Sequence, residues 1–580
     1  MKLLGITSMY HDSSACLMVD GEIIAYVEEE RFNRKKHTSA HPQQAIDWVL
    51  STQGLQLDDI DEVIYYFNPW GYLKTGIKMA IRNFPVSLFL ANKQAASQPP
   101  FKRLQTMARL KSTLCHLHQA QRKFNLVFLD HYKTHQAAAF FASGLEESAI
   151  LTMDVAVDGK TEVIAYGKNN QIQDIHASYM PNAFGNVYSS LTHLLGFKFH
   201  DEYKVMGMAA YGEPKYVERV EELFIVDEAT GKLSLNFSYF AFQKYGMLKM
   251  YSERLTQLFW RRRQPDEPLT QRDYDLAASL QEATNRYGLK KAKAAKKLTG
   301  SKNLCLAGGV AQNCLMNQAI CESGLFEKVF IQPLAGDVGC SLGAVLYRYH
   351  QVHQKPRQFT LKHLYLGPAF QQQETVTQPF LKSRHSENWT KTVAQAIAEG
   401  LVVGYFDGRM EAGPRALGAR SILADPRRAD MKDILNSRVK HREHFRPFAP
   451  SVLSEKVNEV FEPLPACLSL DFMIVTMTVK EEWRSKLPAI THHDNTARVQ
   501  AVKKEYAPHY YEIIENFYQL TGVPLVINTS FNDNEPIVCT PEDAIACFRR
   551  TKIDLLVING RLYFREDNIR MVEEVCESIS

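Results

Sequence analysis

Two strand–turn–strand units near the N-terminus constrain the fold of this chain more than any other feature. Asp20-Gly21 separates two apolar runs in ACLMVDGEIIAYV, and Asp158-Gly159 does so in SAILTMDVAVDGKTEVIAYG. An Asp-Gly pair between apolar runs is a strong signal for a tight β-hairpin. Helix and strand patterns follow each unit, so we predict an α/β fold with a duplicated sheet domain and helices on its faces.

The length of the chain requires more than one folding unit. At 580 residues it exceeds what a single hydrophobic core supports. The stretch VHQKPRQFTLKHLYL has no clear periodicity and carries a proline among basic residues, which indicates a boundary. We therefore predict an N-terminal module at residues 1–355, a linker at 356–385 and a C-terminal α/β module at 386–580.

The charge balance and the hydropathy pattern exclude several classes of protein. The 68 basic and 64 acidic residues leave a formal net charge of +4, which argues against a dedicated nucleic-acid binder. The N-terminus lacks the apolar segment of a secretory signal, and no apolar run is long enough to span a bilayer. The ten cysteines form no C-x2-C pair, which favours reduced thiols. We predict a cytoplasmic protein without stable membrane insertion.

One long stretch, residues 63–129, contains no acidic residue. Its basic residues are interleaved with apolar ones, as in GIKMAIRNF, which predicts basic amphipathic helices. Such helices either face solvent or form a surface for an anionic partner, and the sequence leaves both interpretations open. The basic residues are Lys74, Lys78, Arg82, Lys93, Lys102, Arg103, Arg109, Lys111, Arg122 and Lys123. A second basic run, LKKAKAAKKL at residues 289–298, is predicted to be a solvated helix.

Two histidines and two aspartates form the most specific chemical pattern. His131 and His135 stand four residues apart in LDHYKTHQAAAFFASG, so a helix there would place both imidazoles on one face. Asp154 and Asp337 each follow a predicted strand. An isolated H-x3-H pair is more often packed or solvent-facing than a ligand pair. Two imidazoles together with two carboxylates, however, suit iron(II), zinc or manganese.

Four glycine-containing turns fall at predicted strand ends. They are GITSMYHDSSA, MDVAVDGKT, LAGGVAQN and LAGDVGCSLGA. Backbone amides at such turns and at helix N-termini bind phosphate, and glycine lets the backbone approach the anion closely. A single turn of this kind is a weak signal, but four in one duplicated domain favour a nucleotide-binding cleft.

Longer motifs resemble the O-carbamoyltransferase family along essentially the whole chain, from Lys2 to Asn568. The motifs are GITSMYHDSSACLMVDGEIIAYVEEERFNRKKH, HDEYKVMGMAAYGEP, PLTQRDYDLAASLQ, LAGGVAQNCLMN and DGRMEAGPRALGARSILADPR. Members of that family modify antibiotics and nodulation oligosaccharides. The resemblance implies an N-terminal module similar to the tRNA threonylcarbamoyl-transferase subunit, with the duplicated actin–hexokinase ATPase fold, and a C-terminal module similar to YrdC.

The resemblance also implies a reaction in two steps. The C-terminal module makes carbamoyl-adenylate from carbamoyl phosphate and ATP with Mg²⁺, and the N-terminal module transfers the carbamoyl group to a hydroxyl of a sugar or another small molecule. A bound metal, Fe²⁺ or another divalent ion, serves the transfer. Its implied ligands are His131, His135, Asp154 and Asp337. His11 matches the family's proposed base, and Asp12 beside it orients it or binds the acceptor.

The same motifs imply which residues bind the nucleotides and anions. In the N-terminal module these are Glu202, Lys204, Gly207, Gly308, Gly309, Val310, Asn313 and Asn317. Lys204 could pair with phosphate or with a neighbouring carboxylate. In the C-terminal module an arginine-rich glycine loop suits carbamoyl phosphate and ATP, because guanidinium groups bind phosphate in a bidentate manner. The residues there are Arg409, Arg415, Arg420, Ser421, Lys440, Arg442, Arg446, Asn528, Ser530 and Asn532.

One motif departs from the family pattern. Where we expect HVDGTxR the chain reads HHDNTAR, so Asn495 replaces a glycine and His493 has no assigned role. Asparagine tolerates positive φ better than most residues do, and we therefore expect the turn to survive.

Three other functions compete with small-molecule carbamoyl transfer. One of them, a non-enzymatic nucleotide-binding regulator, predicts broken ligand sets, whereas the sets here are intact. A tRNA threonylcarbamoyl-type modification enzyme would share the fold but act on RNA, which the near-neutral charge disfavours. A sugar kinase of the actin superfold would leave the arginine-rich C-terminal module unexplained. The sequence names neither the acceptor nor the oligomeric state, and it leaves a homodimer open.

Overall fold

Residues 1–82, 84, 100–155, 159–370 and 381–565 are described in a computed structural model of the chain. Asp158 of the second predicted hairpin, part of the acid-free stretch, and residues 371–380 of the predicted linker lie outside them. The chain divides into two units, of which the first comprises Met1–Glu29, His37–Leu361 and Ala466–Leu468. The second comprises Glu30–Lys36, Lys362–Pro465 and Ser469–Ser580, so it includes the short helix α1, Glu30–Asn33.

The first sheet of the N-terminal unit is built around the first predicted hairpin. Its strands are β1 Lys2–Thr7, β2 Ser14–Val19, β3 Glu22–Glu28, β4 Glu62–Tyr65 and β5 Asn125–Phe128, in the order β3-β2-β1-β4-β5. Asp20 and Gly21 both have positive φ, 48° and 96°, as a tight primed turn requires. β1 is antiparallel to β2 and parallel to β4, which is parallel to β5. The predicted hairpin is confirmed.

The second sheet of this unit repeats the arrangement of the first. Its strands are β6 Glu147–Met153, β7 Lys160–Lys168, β8 Gln171–Tyr179, β11 Asn303–Ala307 and β12 Lys328–Ile331, in the order β12-β11-β6-β7-β8. β6 is antiparallel to β7 and parallel to β11, which is parallel to β12. Two further strands, β9 Phe224–Val226 and β10 Leu233–Leu235, form a separate small hairpin. Both five-stranded sheets therefore share one order and one set of strand directions.

Two helices, α5 and α13, form a layer between these sheets. The helices of the unit are α2 Gln43–Ser51, α3 Pro69–Arg82, α4 Pro100–Leu117, α5 His131–Phe140, α6 Phe184–Leu194, α7 Glu202–Met208, α8 Val217–Glu221, α9 Phe242–Tyr245, α10 Glu253–Phe259, α11 Gln271–Thr299, α12 Cys314–Glu322 and α13 Cys340–Leu346. α13 packs on β1 and β2, α5 packs on β6 and β11, and the two helices pack on each other. A Cβ on Gly343 would lie 1.8 Å from the carbonyl oxygen of Thr134, so only glycine permits this helix contact.

The lysine-rich part of α11 is helical, as predicted, but it is not solvated on every side. Lys291 is buried, and its Nζ donates hydrogen bonds to Glu162 Oε2 at 2.8 Å and to the Gly231 carbonyl oxygen at 2.6 Å. Alanines beside it pack into the unit, so one face of this basic run belongs to the core. A buried lysine requires a partner for its charge, and here that partner, Glu162, comes from β7 rather than from the same helix.

The second unit is organised on one mixed sheet of eight strands. In chain order its strands are β13 Leu381–His385, β14 Val403–Phe406, β15 Arg420–Ala424, β16 Ala449–Leu453, β19 Gln500–Val502, β20 Leu525–Ser530, β21 Leu555–Ile558 and β22 Arg561–Arg565, with β17 Thr476–Thr478 and β18 Thr496–Arg498 forming a separate pair. Its remaining helices are α14 Trp389–Ala398, α15 Met431–Leu435, α16 Val457–Val460, α17 Glu481–Arg484, α18 Pro508–Thr521 and α19 Pro541–Arg550.

In the HHDNTAR motif of this unit, Asn495 has a φ of 63°, which confirms that the turn tolerates asparagine. Across the described parts of both units, no helix is sufficiently long and apolar to cross a membrane.

Candidate active sites

The predicted histidine pair lies in the first turns of α5. The Asp130 side chain caps this helix by accepting hydrogen bonds from the backbone N–H groups of Tyr132 and Lys133, at 3.0 and 3.2 Å. The helix therefore begins at His131, and both histidines are buried on its inner face. Their Nε2 atoms lie 3.2 Å apart. The sequence prediction of one helical face is confirmed.

Both predicted aspartates point towards this histidine pair. Asp154 directly follows β6, and its Oδ2 lies 3.0 Å from His135 Nε2 and 4.0 Å from His131 Nε2. Asp337 follows β12 in the turn before α13, and its Oδ1 lies 3.5 Å from His131 Nε2 and 3.6 Å from His135 Nε2. Residues from two strand ends and one helix thus meet within the N-terminal unit.

A fifth donor, the Cys340 thiol, was missed by sequence reasoning. Cys340 is the first residue of α13, and its Sγ lies 3.4 Å from His135 Nε2. His131, His135, Asp337 and Cys340 each offer one ligand atom, and these four atoms all lie within 4.8 Å of one another. The signal in the sequence was GDVGC, because the residue three places after Asp337 lies one turn further along the same helical segment. This buried group could hold a metal ion.

The spacing and the electrostatics of the cluster fit a cation. Ligands about 2.1 Å from a tetrahedral ion lie roughly 3.4 Å from each other, which matches the distances between these atoms. Asp337 Oδ2 is buried and accepts no hydrogen bond among the described residues. Burial alone would lower the pKa of His131, but Asp337 and Cys340 outweigh it and raise that pKa to about 9. The carboxylate and the thiol thus favour positive charge at this position, which is what a metal site requires.

His11 lies beside this cluster in a strained turn. Its Nε2 is 3.8 Å from Asp337 Oδ2, and its Nδ1 is 2.8 Å from Asp12 Oδ2. The other Asp12 oxygen lies 2.8 Å from His37 Nδ1, so one carboxylate bridges two imidazoles. Met9 and Asp12 both have positive φ, 79° and 54°, which is uncommon for residues with side chains and frequent at functional sites. Burial would lower the pKa of His11, but Asp337 and Asp12 raise it to about 10.

The predicted nucleotide-binding residues of this unit fall into two groups. Gly308 and Gly309 form a tight turn at the end of β11, where a Cβ on Gly308 would lie 2.2 Å from the Met153 carbonyl oxygen and one on Gly309 would lie 3.2 Å from Asp154 Oδ1. Val310 follows in the same turn. This turn therefore adjoins the cluster.

The other group already has partners within the protein. Asn313 caps α12 by accepting a hydrogen bond from the Met316 N–H, and Asn317 is fully buried and donates to the Ala311 carbonyl oxygen at 2.8 Å. Lys204 forms a salt bridge with Asp201 at 3.3 Å, which is the carboxylate alternative that the sequence left open. Glu202 accepts a hydrogen bond from Ser189, and both Glu202 and Gly207 lie in α7.

In the second unit, Lys440 forms hydrogen bonds with two other predicted anion-binding residues, Ser530 and Asn532. Its Nζ is buried and donates hydrogen bonds to Asn532 Oδ1 at 2.9 Å, to the Asn532 carbonyl oxygen at 2.8 Å and to Ser530. Burial lowers the pKa of Lys440 well below its usual value, and the positive charges of Arg442 and Arg446 add to this effect. Arg446 pairs with Glu443 at 3.6 Å, but no carboxylate among the described residues pairs with Lys440, so a bound anion would offset the positive charge there.

Two of the predicted arginines have other partners. Arg420 is fully buried, stacks 3.5 Å from the Phe406 ring centroid and donates to the backbone carbonyl oxygens of Asp407 and Ala419. Arg409 donates to the carbonyl oxygens of Leu366 and Gly367. Ser421 accepts a hydrogen bond from the Gly418 N–H. These side chains hold the shape of the glycine loop.

The remaining predicted residues and one missed segment surround that loop. Arg415 is partly exposed, and Asn528 is buried and donates to the Ala416 carbonyl oxygen at 3.1 Å. The segment ERFNRKK at Glu30–Lys36 also belongs to this unit, where Arg31 donates to the Gly413 carbonyl oxygen at 2.6 Å and Arg34 donates to that of Ile537 at 2.8 Å. In the sequence this segment ends the first family-like motif, but nothing there indicated that it would join the second unit.

Family models match both parts of the chain. The carbamoyltransferase N-terminus model matches residues 2–346, and the carbamoyltransferase C-terminus model matches residues 394–565. The chain therefore belongs to the carbamoyltransferase family. It is an enzyme of the transferase class.

Individual relatives cover nearly the whole chain. An uncharacterized protein of Synechocystis sp. is 40% identical over 96% of this chain and 96% of its own length. Nodulation protein NolNO of Sinorhizobium fredii is 36% identical over 95% of this chain and 78% of its own length. Among solved structures, component A of the Acidaminococcus fermentans (R)-2-hydroxyglutaryl-CoA dehydratase matches 60% of this chain and 97% of its own at 15% identity and a TM-score of 0.30, which is too remote for a functional argument.

Proposed function

We propose that this enzyme is an O-carbamoyltransferase that works through carbamoyl-adenylate. In the first step carbamoyl phosphate is hydrolysed to carbamate and phosphate, and the carbamate attacks the α-phosphate of ATP, which releases pyrophosphate. In the second step an acceptor hydroxyl attacks the carbamoyl carbon, AMP leaves, and a base takes the hydroxyl proton. The observation that carries the proposal is the convergence of His11 and the histidine–aspartate–cysteine cluster in a member of the carbamoyltransferase family.

The two proposed steps are assigned to the two different units of the chain. The repeated five-stranded sheets support assignment of transfer to an actin–hexokinase-like N-terminal unit. The basic side chains around Lys440 support assignment of adenylation to the YrdC-like C-terminal unit, because carbamoyl phosphate and ATP with Mg²⁺ present many anionic oxygens. Arg415, Arg442 and Arg446 would contact these oxygens, whereas Arg409 and Arg420 would shape the loop.

His131, His135, Asp337 and Cys340 would hold a metal ion, with Asp154 as a further ligand. Imidazole, carboxylate and thiolate together favour a borderline ion such as iron(II) or zinc over magnesium. When bound, the ion supplies positive charge that offsets the charge developing on the AMP phosphate. The glycine turn at Gly308 would bring backbone N–H groups to that phosphate.

His11 would remove the proton from the acceptor hydroxyl. In the free protein Asp337 and Asp12 hold a proton on His11, because both carboxylates raise its pKa. To act as a base His11 would have to be neutral, which a cation held at Asp337 would favour by offsetting one of these carboxylates. Asp12 would fix the orientation of the ring through the 2.8 Å contact with Nδ1.

Product analysis tests this proposal. The enzyme is incubated with carbamoyl phosphate, ATP and iron(II), together with a panel of sugars and other hydroxyl compounds, and the products are separated by mass spectrometry. We expect pyrophosphate, AMP and an acceptor heavier by one carbamoyl group. ADP with a phosphorylated sugar would instead identify a kinase and overturn the proposal.

A further inference from the structure

Helix α3 carries an apolar stripe that no other described part of the chain covers. No residue of this helix is buried, and Trp70, Ile77 and Ile81 are 76%, 52% and 73% exposed. Phe84, just beyond the helix, is 70% exposed. Positions 70, 77, 81 and 84 are separated by seven, four and three residues, so they form one stripe along a helical surface. Burying such large side chains would be favourable, and their joint exposure indicates a partner.

A row of cations runs beside this stripe. Lys74, Lys78 and Arg82 follow one another at intervals of four residues and lie next to the apolar positions on the helix surface. None of the three forms an ion pair with a carboxylate among the described residues, and the sequence has no acidic residue from 63 to 129. An apolar stripe bordered by cations alone is complementary to an anionic surface with an apolar interior.

Helix α3 packs on α4, and two residues on the face opposite the stripe contact other parts of the N-terminal unit. Thr75 Oγ1 lies 2.2 Å from the position that a Cβ on Gly159 would take, next to the start of β7. The Tyr72 ring packs against Phe67 with ring centroids 5.4 Å apart. On a helical surface, Thr75 and Tyr72 both lie more than a quarter turn away from Trp70 and Ile77. The stripe is therefore directed away from Thr75 and Tyr72, and no described part of the unit covers it.

We propose that α3 docks the protein on the surface of an anionic lipid bilayer. Trp70, Ile77 and Ile81 would enter the boundary between headgroups and acyl chains, and the three cations would contact lipid phosphates. This is how interfacial amphipathic helices bind, and tryptophan is enriched at that depth. A second copy of the chain fits less well, because a symmetric contact would bring two rows of cations together.

Vesicle binding by the full chain tests the proposal. Co-sedimentation is measured with vesicles of neutral phosphatidylcholine and with vesicles in which part of the lipid is anionic phosphatidylglycerol. We expect preferential binding to the anionic vesicles, weakened by salt. Each basic residue near such a surface contributes about 1 kcal/mol, so Lys74→Glu, Lys78→Glu and Arg82→Glu together, which also reverse the charge, should weaken this binding by at least about 100-fold. Ile77→Asn with Ile81→Asn should weaken binding to both kinds of vesicle.

Matched variants on other surfaces separate docking from general effects. Lys293→Glu, Lys297→Glu and Lys302→Glu change the net charge equally on exposed positions elsewhere, and Ile225→Asn removes an isolated side chain that is 72% exposed. These controls should bind as the wild type does, and thermal melting checks that all variants fold. Absence of wild-type binding, or equal binding by the α3 variants, overturns the proposal. If the protein forms a dimer without vesicles and the α3 substitutions abolish that dimer, the proposal is also wrong, and the stripe is an interface between two copies of the chain.

Discussion

At the scale of single residues, substitution of either histidine at the start of α5 should affect carbamoyl transfer but not adenylation. His131→Ala or His135→Ala should lose bound metal and reduce carbamoyl transfer at least 100-fold, whereas release of pyrophosphate from ATP should persist. Metal content is measured by mass spectrometry of the protein, and His116→Ala serves as an exposed control. Full transfer by a metal-free variant would contradict the assignment.

Cys340 gives a spectroscopic prediction at the same scale. With cobalt(II) in place of the native ion, a thiolate ligand should produce a near-ultraviolet charge-transfer band that Cys340→Ser abolishes. Cys115→Ser, a buried cysteine of α4, should retain the band. A wild-type spectrum without this band would show that the ion is held by nitrogen and oxygen ligands alone.

Residues differ in how far the sequence could predict them. The histidine pair and the two aspartates were predictable from helical spacing and from strand ends, which are local properties, and the family resemblance supplied His11. Cys340 was not, since its approach to His135 depends on the packing of α13 against α5. The partners of Arg420 likewise depend on where the glycine loop folds back.

At the scale of elements, the turn between β11 and the following helical segment holds the cluster in place. Gly308 has a φ of 89°, and a Cβ there would lie 2.2 Å from the backbone of Met153, the residue before Asp154. Gly308→Ala should therefore destabilise the protein by about 3 kcal/mol or more and weaken metal binding. Urea unfolding measures the first effect and metal titration the second.

A matched glycine separates backbone strain from this close contact. Gly324 also has positive φ, 66°, but has open space around it. Gly324→Ala should cost only about 1–2 kcal/mol and leave metal binding unchanged. If both variants lose the same stability and bind metal equally well, the close contact with Met153, next to Asp154, does not explain why glycine is needed at position 308.

Elements were predictable where their signals are local. Asp20-Gly21 fixes its hairpin through the backbone alone, and Asp130 sets the start of α5. The lysine-rich end of α11 was predicted as solvated because its charges indicate a surface, yet Lys291 is buried against Glu162 from β7. Such pairs join residues over a hundred positions apart, and hydropathy along one helix does not reveal them.

At the scale of the whole molecule, two units carry two different kinds of site. The N-terminal unit holds the histidine–aspartate–cysteine cluster, and the second unit holds the cations around Lys440. The sequence motifs predicted both sites, but they did not indicate that Glu30–Lys36 joins the second unit, because that segment follows directly on β3 of the first. Separate sites imply that each step can be removed without the other.

The most direct test of the two-step account is chemical rescue of Lys440→Met. This change removes the Nζ group whose hydrogen bonds hold Ser530 and Asn532 in place, so pyrophosphate release from carbamoyl phosphate and ATP should fall below detection, while Lys552→Met at an exposed position retains it. Chemically made carbamoyl-adenylate, added with iron(II) and the acceptor panel, should then restore carbamoyl transfer to the wild-type rate. A folded Lys440→Met enzyme that carbamoyl-adenylate does not rescue would contradict the account.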